Sequence, residues 1–317
     1  MEKFPLITFV SLVALMLALG CQRRDYGKGS VVCVCDRKYC DFVGNVGPLR
    51  SGEALVFESS KDGLRFQRSS IPVGQTSGSS QGDTHVLVLN ASKTYQTFFG
   101  IGGAFTDAVG LNLRSLPTGM QDDILKSYYS TQGIEYTIGR IPIASCDFSE
   151  RKYTYDDYPG DFELSNFALA PEDIKLKIPY IRRAMSLSRK PIWFFGSAWS
   201  SPAWMKTSNK LEGEGVLKGK PGGRYYKTWA KYYVRFVQEY ERHGVPIWAL
   251  TTQNEPTMGF IPGFPIQTLG FSSAAQRDFV KLDLGPALDE AGYGPEKLKI
   301  MIFDDSRLML LHWADVV

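Results

Sequence analysis

Pro246-Ile247-Trp248-Ala249-Leu250-Thr251-Thr252-Gln253-Asn254-Glu255-Pro256 begins as an apolar run and ends in an amide, a carboxylate and a proline. A short apolar run bounded by a turn signal predicts a strand, and its polar end marks the point where the strand opens into a loop. Strand-like runs of the same kind are expected over residues 99–103, 136–143, 191–197 and 298–303, with 246–252 as the fourth of the five. Helical stretches separate them. The clearest covers 224–243, where Trp229, Tyr232, Tyr233, Phe236 and Tyr240 recur at spacings of three and four on one face. Strands alternating with helices predict parallel strands joined by crossovers, either a doubly wound sheet or a TIM barrel.

The strand ends decide between the two. The C-terminal ends of the five strands carry, in turn, Thr106 and Asp107, then Arg140, Ser145 and Asp147, then Ser197, Trp199 and Trp204, then Asn254 and Glu255, and finally Asp304, Asp305 and Arg307. A TIM barrel builds its active site at that end, from several strands at once. Gly100-x-Gly102 is followed by Phe105 where a dinucleotide fingerprint needs its third glycine, so no phosphate cradle is expected. The predicted fold is α/β, a (β/α)8 TIM barrel of which about five β/α units are present, over residues 99–317. Residues 51–98 hold short alternating stretches, at 55–57 and 85–89, around a Gly/Ser/Gln run at 74–82; they are expected to form part of an accompanying β-sandwich.

The 317 residues are 44% hydrophobic, 13% aromatic and 22% charged, the composition of an ordinary globular protein. Thirty-six basic residues against 33 acidic ones leave a net charge of +3, which excludes an electrostatically driven nucleic-acid binder. At the N-terminus Lys3 precedes an apolar run, residues 6–19, that ends in small residues, so 1–20 is expected to be a signal peptide. The run is shorter than the roughly 20 residues that cross a bilayer. Cys21, Cys33, Cys35 and Cys40 crowd the segment 21–50. In a secretory chain they predict two disulfides, with zinc as the rival reading in the absence of a nearby histidine; Cys146 remains as a buried thiol. Asn90-Ala91-Ser92 is a glycosylation sequon expected on a surface turn.

Glu255 is the candidate catalytic group. A carboxyl at a barrel mouth among aromatic side chains has its charged form disfavoured by lost hydration, which lifts its pKa toward the range of a general acid. Flat aromatic faces with acids and amides between them suit a sugar. The competing reading is a turn cap.

With these residues in place the chain resembles a known family. Thr252-Gln253-Asn254-Glu255-Pro256 is similar to the acid/base strand of retaining glycosidases with (β/α)8 barrels. The stretches 30–35, 100–104, 144–149 and 200–204, with Tyr39-Cys40 and Gln276-Arg277-Asp278-Phe279, narrow the resemblance to the glucosylceramidases of glycoside hydrolase family thirty, from about Cys21 to Val317. The resemblance implies that Glu255 is the acid/base and that Asn254 bonds the sugar 2-hydroxyl. It further implies that Asp147 and Trp199 hold hydroxyls on the far side of the glucose and that Arg140 braces the acidic cluster. Against these stand a helix N-cap for Asp147, a packed core residue for Trp199 and a purely structural Arg140. The implied disulfides are Cys21–Cys33 and Cys35–Cys40, with Cys146 reduced. No metal or organic cofactor is implied. The implied substrate is glucosylceramide in membranes, hydrolysed to glucose and ceramide in the lysosomal lumen by a peripherally membrane-associated protein, with a saposin-type activator as partner. The mild basic excess suits an anionic membrane surface, and an extracellular site is the alternative.

One part of the family's pattern is not found. A retaining glycosidase attacks with a second carboxylate about 5 Å from the first, and in the family it ends the seventh strand, whereas the sequence stops at Val317 after the fifth. Asp304 and Asp305 sit one strand from Glu255 and are poor substitutes. Within these 317 residues the nucleophile is expected to be absent, as in an incomplete gene model, an alternative transcript or a decayed copy. The other readings are a catalytically dead glycolipid-binding protein and another family-thirty glycosidase such as a xylanase.

Overall fold

The structure is a computed structural model that describes residues 22–27, 29, 31–61, 64, 66–74, 88 and 90–317. The expected signal peptide, Cys21 and all of the expected strand at 85–89 except Val88 lie outside the described residues. The chain divides into two compact units.

The first unit runs to Phe99 and adds Pro117–Ser127 and Thr131–Ile134. Its strands are β1 (Gln22–Asp25), β2 (Val31–Val34), β3 (Glu53–Glu58) and β4 (Gln67–Pro72), paired antiparallel as β1 with β2 and β3 with β4. Cys35 and Cys40 form a disulfide, and Cys33 is also disulfide-bonded; the partner the resemblance implies, Cys21, is outside the described residues. Asn90 is exposed, and its Oδ1 accepts hydrogen bonds from Ser92 N (3.1 Å) and Ser92 Oγ (2.7 Å).

The second unit holds Gly100–Leu116, Tyr128–Ser130 and Glu135–Val317. Five parallel strands form its sheet in sequence order: β5 (Gly102–Ala104), β6 (Ile138–Ile143), β7 (Trp193–Ala198), β8 (Ile247–Thr251) and β9 (Lys299–Met301). Each overlaps its predicted span, with ends displaced by up to three residues. An unbroken order without a switch point is that of a barrel wall, which settles the choice between barrel and doubly wound sheet. Close strand contact has a local requirement at Gly102: a Cβ there would stand 1.8 Å from the carbonyl oxygen of Ile138 on β6.

The helices are α1 (Asp107–Arg114), α2 (Thr118–Tyr129), α3 (Ile178–Leu187), α4 (Arg224–Arg242), α5 (Ser273–Phe279), α6 (Gly285–Glu290) and α7 (Leu310–Val316). Thr106 Oγ1 caps α1 by accepting from Val109 N at 3.2 Å, and Ser272 Oγ caps α5 through Ala275 N at 3.2 Å. The face of α4 that carries Trp229, Tyr232, Tyr233, Phe236 and Tyr240 is fully buried, as its periodicity predicts. The helix stops at Gly244, whose φ of +78° closes a Schellman turn: Val245 N donates to Tyr240 O and Gly244 N to Glu241 O, both at 2.9 Å. Two π-helical turns were not foreseen, Asp173–Lys177 leading into α3 and Val280–Leu284 between α5 and α6. Among the described residues no helix is long and apolar enough to cross a membrane.

Candidate active site

Arg140, near the middle of β6, gathers the ends of the following strands. Its Nη2 donates to Ser197 Oγ on β7 (3.0 Å), to Asn254 Oδ1 after β8 (2.7 Å) and to Asp304 Oδ2 after β9 (2.6 Å), the last an ion pair. Its guanidinium lies 4.5 Å from the ring centroid of Trp199, at the end of β7. Ser197 Oγ also donates to Asp304 Oδ2 (2.6 Å) and accepts from Thr251 Oγ1 (2.7 Å). Four consecutive strands are thus stitched side chain to side chain at their C-terminal ends. Arg140 joins Ser197, Asn254 and Asp304 through hydrogen bonds and one ion pair.

The sheet pairing extends into the loops through a parallel bridge between Asn254 and Asp304, and Glu255 N donates to Asp304 O at 2.8 Å. Gln253, fully buried, donates from Nε2 to the carbonyl oxygens of Ala198, Trp199 and Asn254. Both turns that flank the site are therefore held by backbone and amide bonds. Glu255 takes φ of +41°, in the left-handed region; Ala144 after β6 (+65°) and Phe303 after β9 (+54°) do the same. Such conformations cost non-glycine residues of order 1–3 kcal/mol each and concentrate where a side chain must be aimed.

Glu255 is half-buried, and its carboxyl is raised above the ordinary glutamate value. Burial is the main cause; the negative charges of Asp305, Asp147 and Asp304 add to it, and Arg140 opposes them. Asp147 lies in an exposed turn after β6 rather than at a helix N-terminus, with its charge felt at Glu255. Trp199 is buried, one face toward Arg140. The five sequence-predicted site residues Arg140, Asp147, Trp199, Asn254 and Glu255 all stand at this one mouth. Not every polar residue at a strand end joins them. Thr106 is a helix cap, Asp107 is buried against Lys177, and Arg307 is exposed at the start of a short helical turn. Sequence reasoning missed Gln253 and the buried Asp173–Lys177 pair. The i,i+4 spacing of that pair was the available signal, but it resembles a solvated helix pair. Among the described residues no group of three His, Cys, Asp or Glu side chains could hold a metal.

The raised carboxyl of Glu255 has a consequence for stability. Below about pH 4.3 the group is protonated in folded and unfolded chains alike. As pH rises the unfolded chain ionises first, so the folded state loses stability through the interval between the two pKa values. Glutamine keeps the size and removes the charge. Glu255→Gln should therefore raise the melting temperature at pH 7 and lose that gain at pH 4; an equal difference at both values, in thermal unfolding followed by circular dichroism, would contradict it.

A barrel wall whose strand ends gather a raised carboxyl, an amide beside it and a buried tryptophan has the layout of a TIM-barrel enzyme, whose active site forms at that end. The model of the glycosyl hydrolase family 30 TIM-barrel domain matches residues 98–317, and the chain belongs to that family. It is 45% identical to the lysosomal acid glucosylceramidase of Mus musculus over 98% of its own length and 60% of that protein. To putative glucosylceramidase 4 of Caenorhabditis elegans it is 44% identical, over 93% of its length and 55% of that protein. The crystal structure of SrfJ from Salmonella typhimurium superposes with a TM-score of 0.69 at 28% identity, covering 79% of this chain and 53% of that one. The chain spans 55–60% of the length of the two relatives.

Proposed function

We propose that the protein is a retaining β-glucosidase that hydrolyses glucosylceramide to glucose and ceramide by double displacement. Glu255 protonates the glycosidic oxygen and then, as the carboxylate, takes the proton of the incoming water. Asn254 has its oxygen committed to Arg140, so its amide nitrogen is the group left for the sugar 2-hydroxyl. Asp147 and Trp199 hold the far hydroxyls and the apolar face of the glucose. The attacking carboxylate is neither Asp304, held by Arg140 and Ser197, nor Asp305, whose Oδ2 accepts from Thr257 Oγ1 and N. In the family the attacking carboxylate ends the seventh barrel strand. The observation that carries this reading is the carboxyl of Glu255, held in a left-handed conformation at a strand end, lifted by burial and surrounded by like charge.

The similarity to a lysosomal acid glucosylceramidase supports a route ending in the lysosomal lumen; we further propose a signal peptide over 1–20, peripheral contact with the membrane that carries the substrate, and a saposin-type activator. The domain boundaries follow the same reading: a disulfide-rich segment at 21–50, part of a β-sandwich at 51–98 and the barrel from 99.

The full-length protein, incubated with vesicles of anionic phospholipid containing glucosylceramide, should release glucose and ceramide in equal amounts, the glucose as the β-anomer. Release of xylose oligomers from xylan in place of glucose from the lipid would transfer the assignment to the xylanases of the family. Binding to the vesicles without release would favour the glycolipid-binding alternative.

A further inference from the structure

Asp147 rides on the loop at residues 144–149, and that loop is fastened at both ends to a buried charge cluster below the mouth. At the near end, Lys177 Nζ donates to Pro142 O (3.1 Å), near the end of β6, and to the carbonyl oxygen of Ala144 (2.9 Å), the left-handed residue at which the loop begins. The same ammonium pairs with Asp107 (3.3 Å) and Asp173 (3.2 Å), and Lys177, Asp107 and Asp173 are all buried. Asp173 Oδ1 further accepts from Tyr155 Oη (2.7 Å) and Tyr240 Oη (2.6 Å), which ties the cluster to α4. At the far end, Ser149 Oγ donates to Asp107 Oδ2 (2.5 Å) and accepts from Cys146 N (3.0 Å). Gln267, from the segment after β8, closes the middle by donating to Ser145 Oγ (3.0 Å) and Cys146 O (3.1 Å).

The span between these anchors is short, and Asp147 and Phe148 are its exposed residues. A loop held by two buried hydrogen-bonded charges has few alternative courses, because each alternative leaves a buried carboxylate or ammonium without a partner. We propose that Ser149 and Lys177 are positioning residues: through Asp107 they fix the 144–149 loop so that Asp147 meets the glucose hydroxyls opposite Glu255. The inference rests on the glucosidase reading above. Ser149 gives the cleaner handle, since its removal leaves the Asp107–Lys177 pair intact.

The test is a double-mutant cycle on the full-length protein with an aryl β-glucoside: Ser149→Ala, Asp147→Asn and both together, with Ser149→Thr as the variant that keeps the hydroxyl. Ser149→Ala should lower kcat/KM about 10-fold, mainly through KM, Ser149→Thr should restore most of it, and in the Asp147→Asn background Ser149→Ala should have almost no further effect. A loss that adds in full to that of Asp147→Asn, or no loss from Ser149→Ala, overturns the positioning role while the glucosidase reading stands. An Asp147→Asn variant as active as the wild type removes Asp147 from the sugar site, and both readings of this loop fall with it.

Discussion

Glu255→Gln in the full-length protein is expected to lower turnover of glucosylceramide about 10²–10⁴-fold, the range that a positioned proton donor contributes. Ceramide is an alkoxide leaving group and cannot depart unprotonated at a useful rate, so the first displacement stalls. An aryl glucoside with an acidic phenol needs no such help. The variant should therefore release a rapid stoichiometric burst of phenol and then slow, because water attacking the glucosyl-enzyme has lost its general base. Azide, a nucleophile that needs no base, should restore steady turnover of the aryl substrate and yield the β-glucosyl azide. The alkaline limb of the wild-type pH profile, set by a carboxyl that burial and the charges of Asp305, Asp147 and Asp304 hold above the ordinary glutamate value, should vanish with the carboxyl. An unchanged rate on the natural lipid would remove Glu255 from the mechanism.

Much of this site was legible before the structure because barrel strands announce themselves twice, by an apolar run and by what ends it. The stretch 246–256 predicted β8 and placed Asn254 and Glu255 at its mouth, and both are there. The buried face of α4 followed from the spacing of its five large aromatics. What escaped notice obeys other rules. Nothing in Gln67–Pro72 alternates, and every residue of β4 is exposed; pairing with β3 rather than a buried face makes it a strand. Glu255, Ala144 and Phe303 take left-handed conformations without glycine, and such strain is set by tertiary bonds that composition does not show. Asp173 and Lys177 have the spacing of an exposed ion pair, worth a few tenths of a kcal/mol on a helix surface. A π-helical turn and the ring of Tyr153, Tyr155 and Tyr240 bury them instead.

That burial sets up the largest stability effect expected in this chain, from Lys177→Met. Burial by itself penalises the ammonium, yet the carboxylates of Asp173 and Asp107 outweigh it and hold the group above the ordinary lysine value. A group so raised contributes stability that is present throughout the range below the ordinary lysine value of about 10.4 and is lost only as pH climbs past it. The ammonium of Lys177 therefore keeps its charge at neutral pH, where the variant is to be compared with the wild type. Methionine fills much of the volume of the lysine stem but leaves two buried carboxylates without a cation and the carbonyls of Pro142 and Ala144 without a donor. Removing one partner of a buried pair costs about 3–5 kcal/mol, which corresponds to a fall in melting temperature of roughly 5–8 °C for a chain of this size. Replacing the charges together separates the ionic cause from a packing defect. Lys177→Met combined with Asp107→Asn and Asp173→Asn should regain a large part of the loss, since no uncompensated charge remains in the core. A melting temperature within 2 °C of wild type for Lys177→Met, or no recovery in the triple variant, would show that the cluster is not the electrostatic keystone of the wall beneath Asp147.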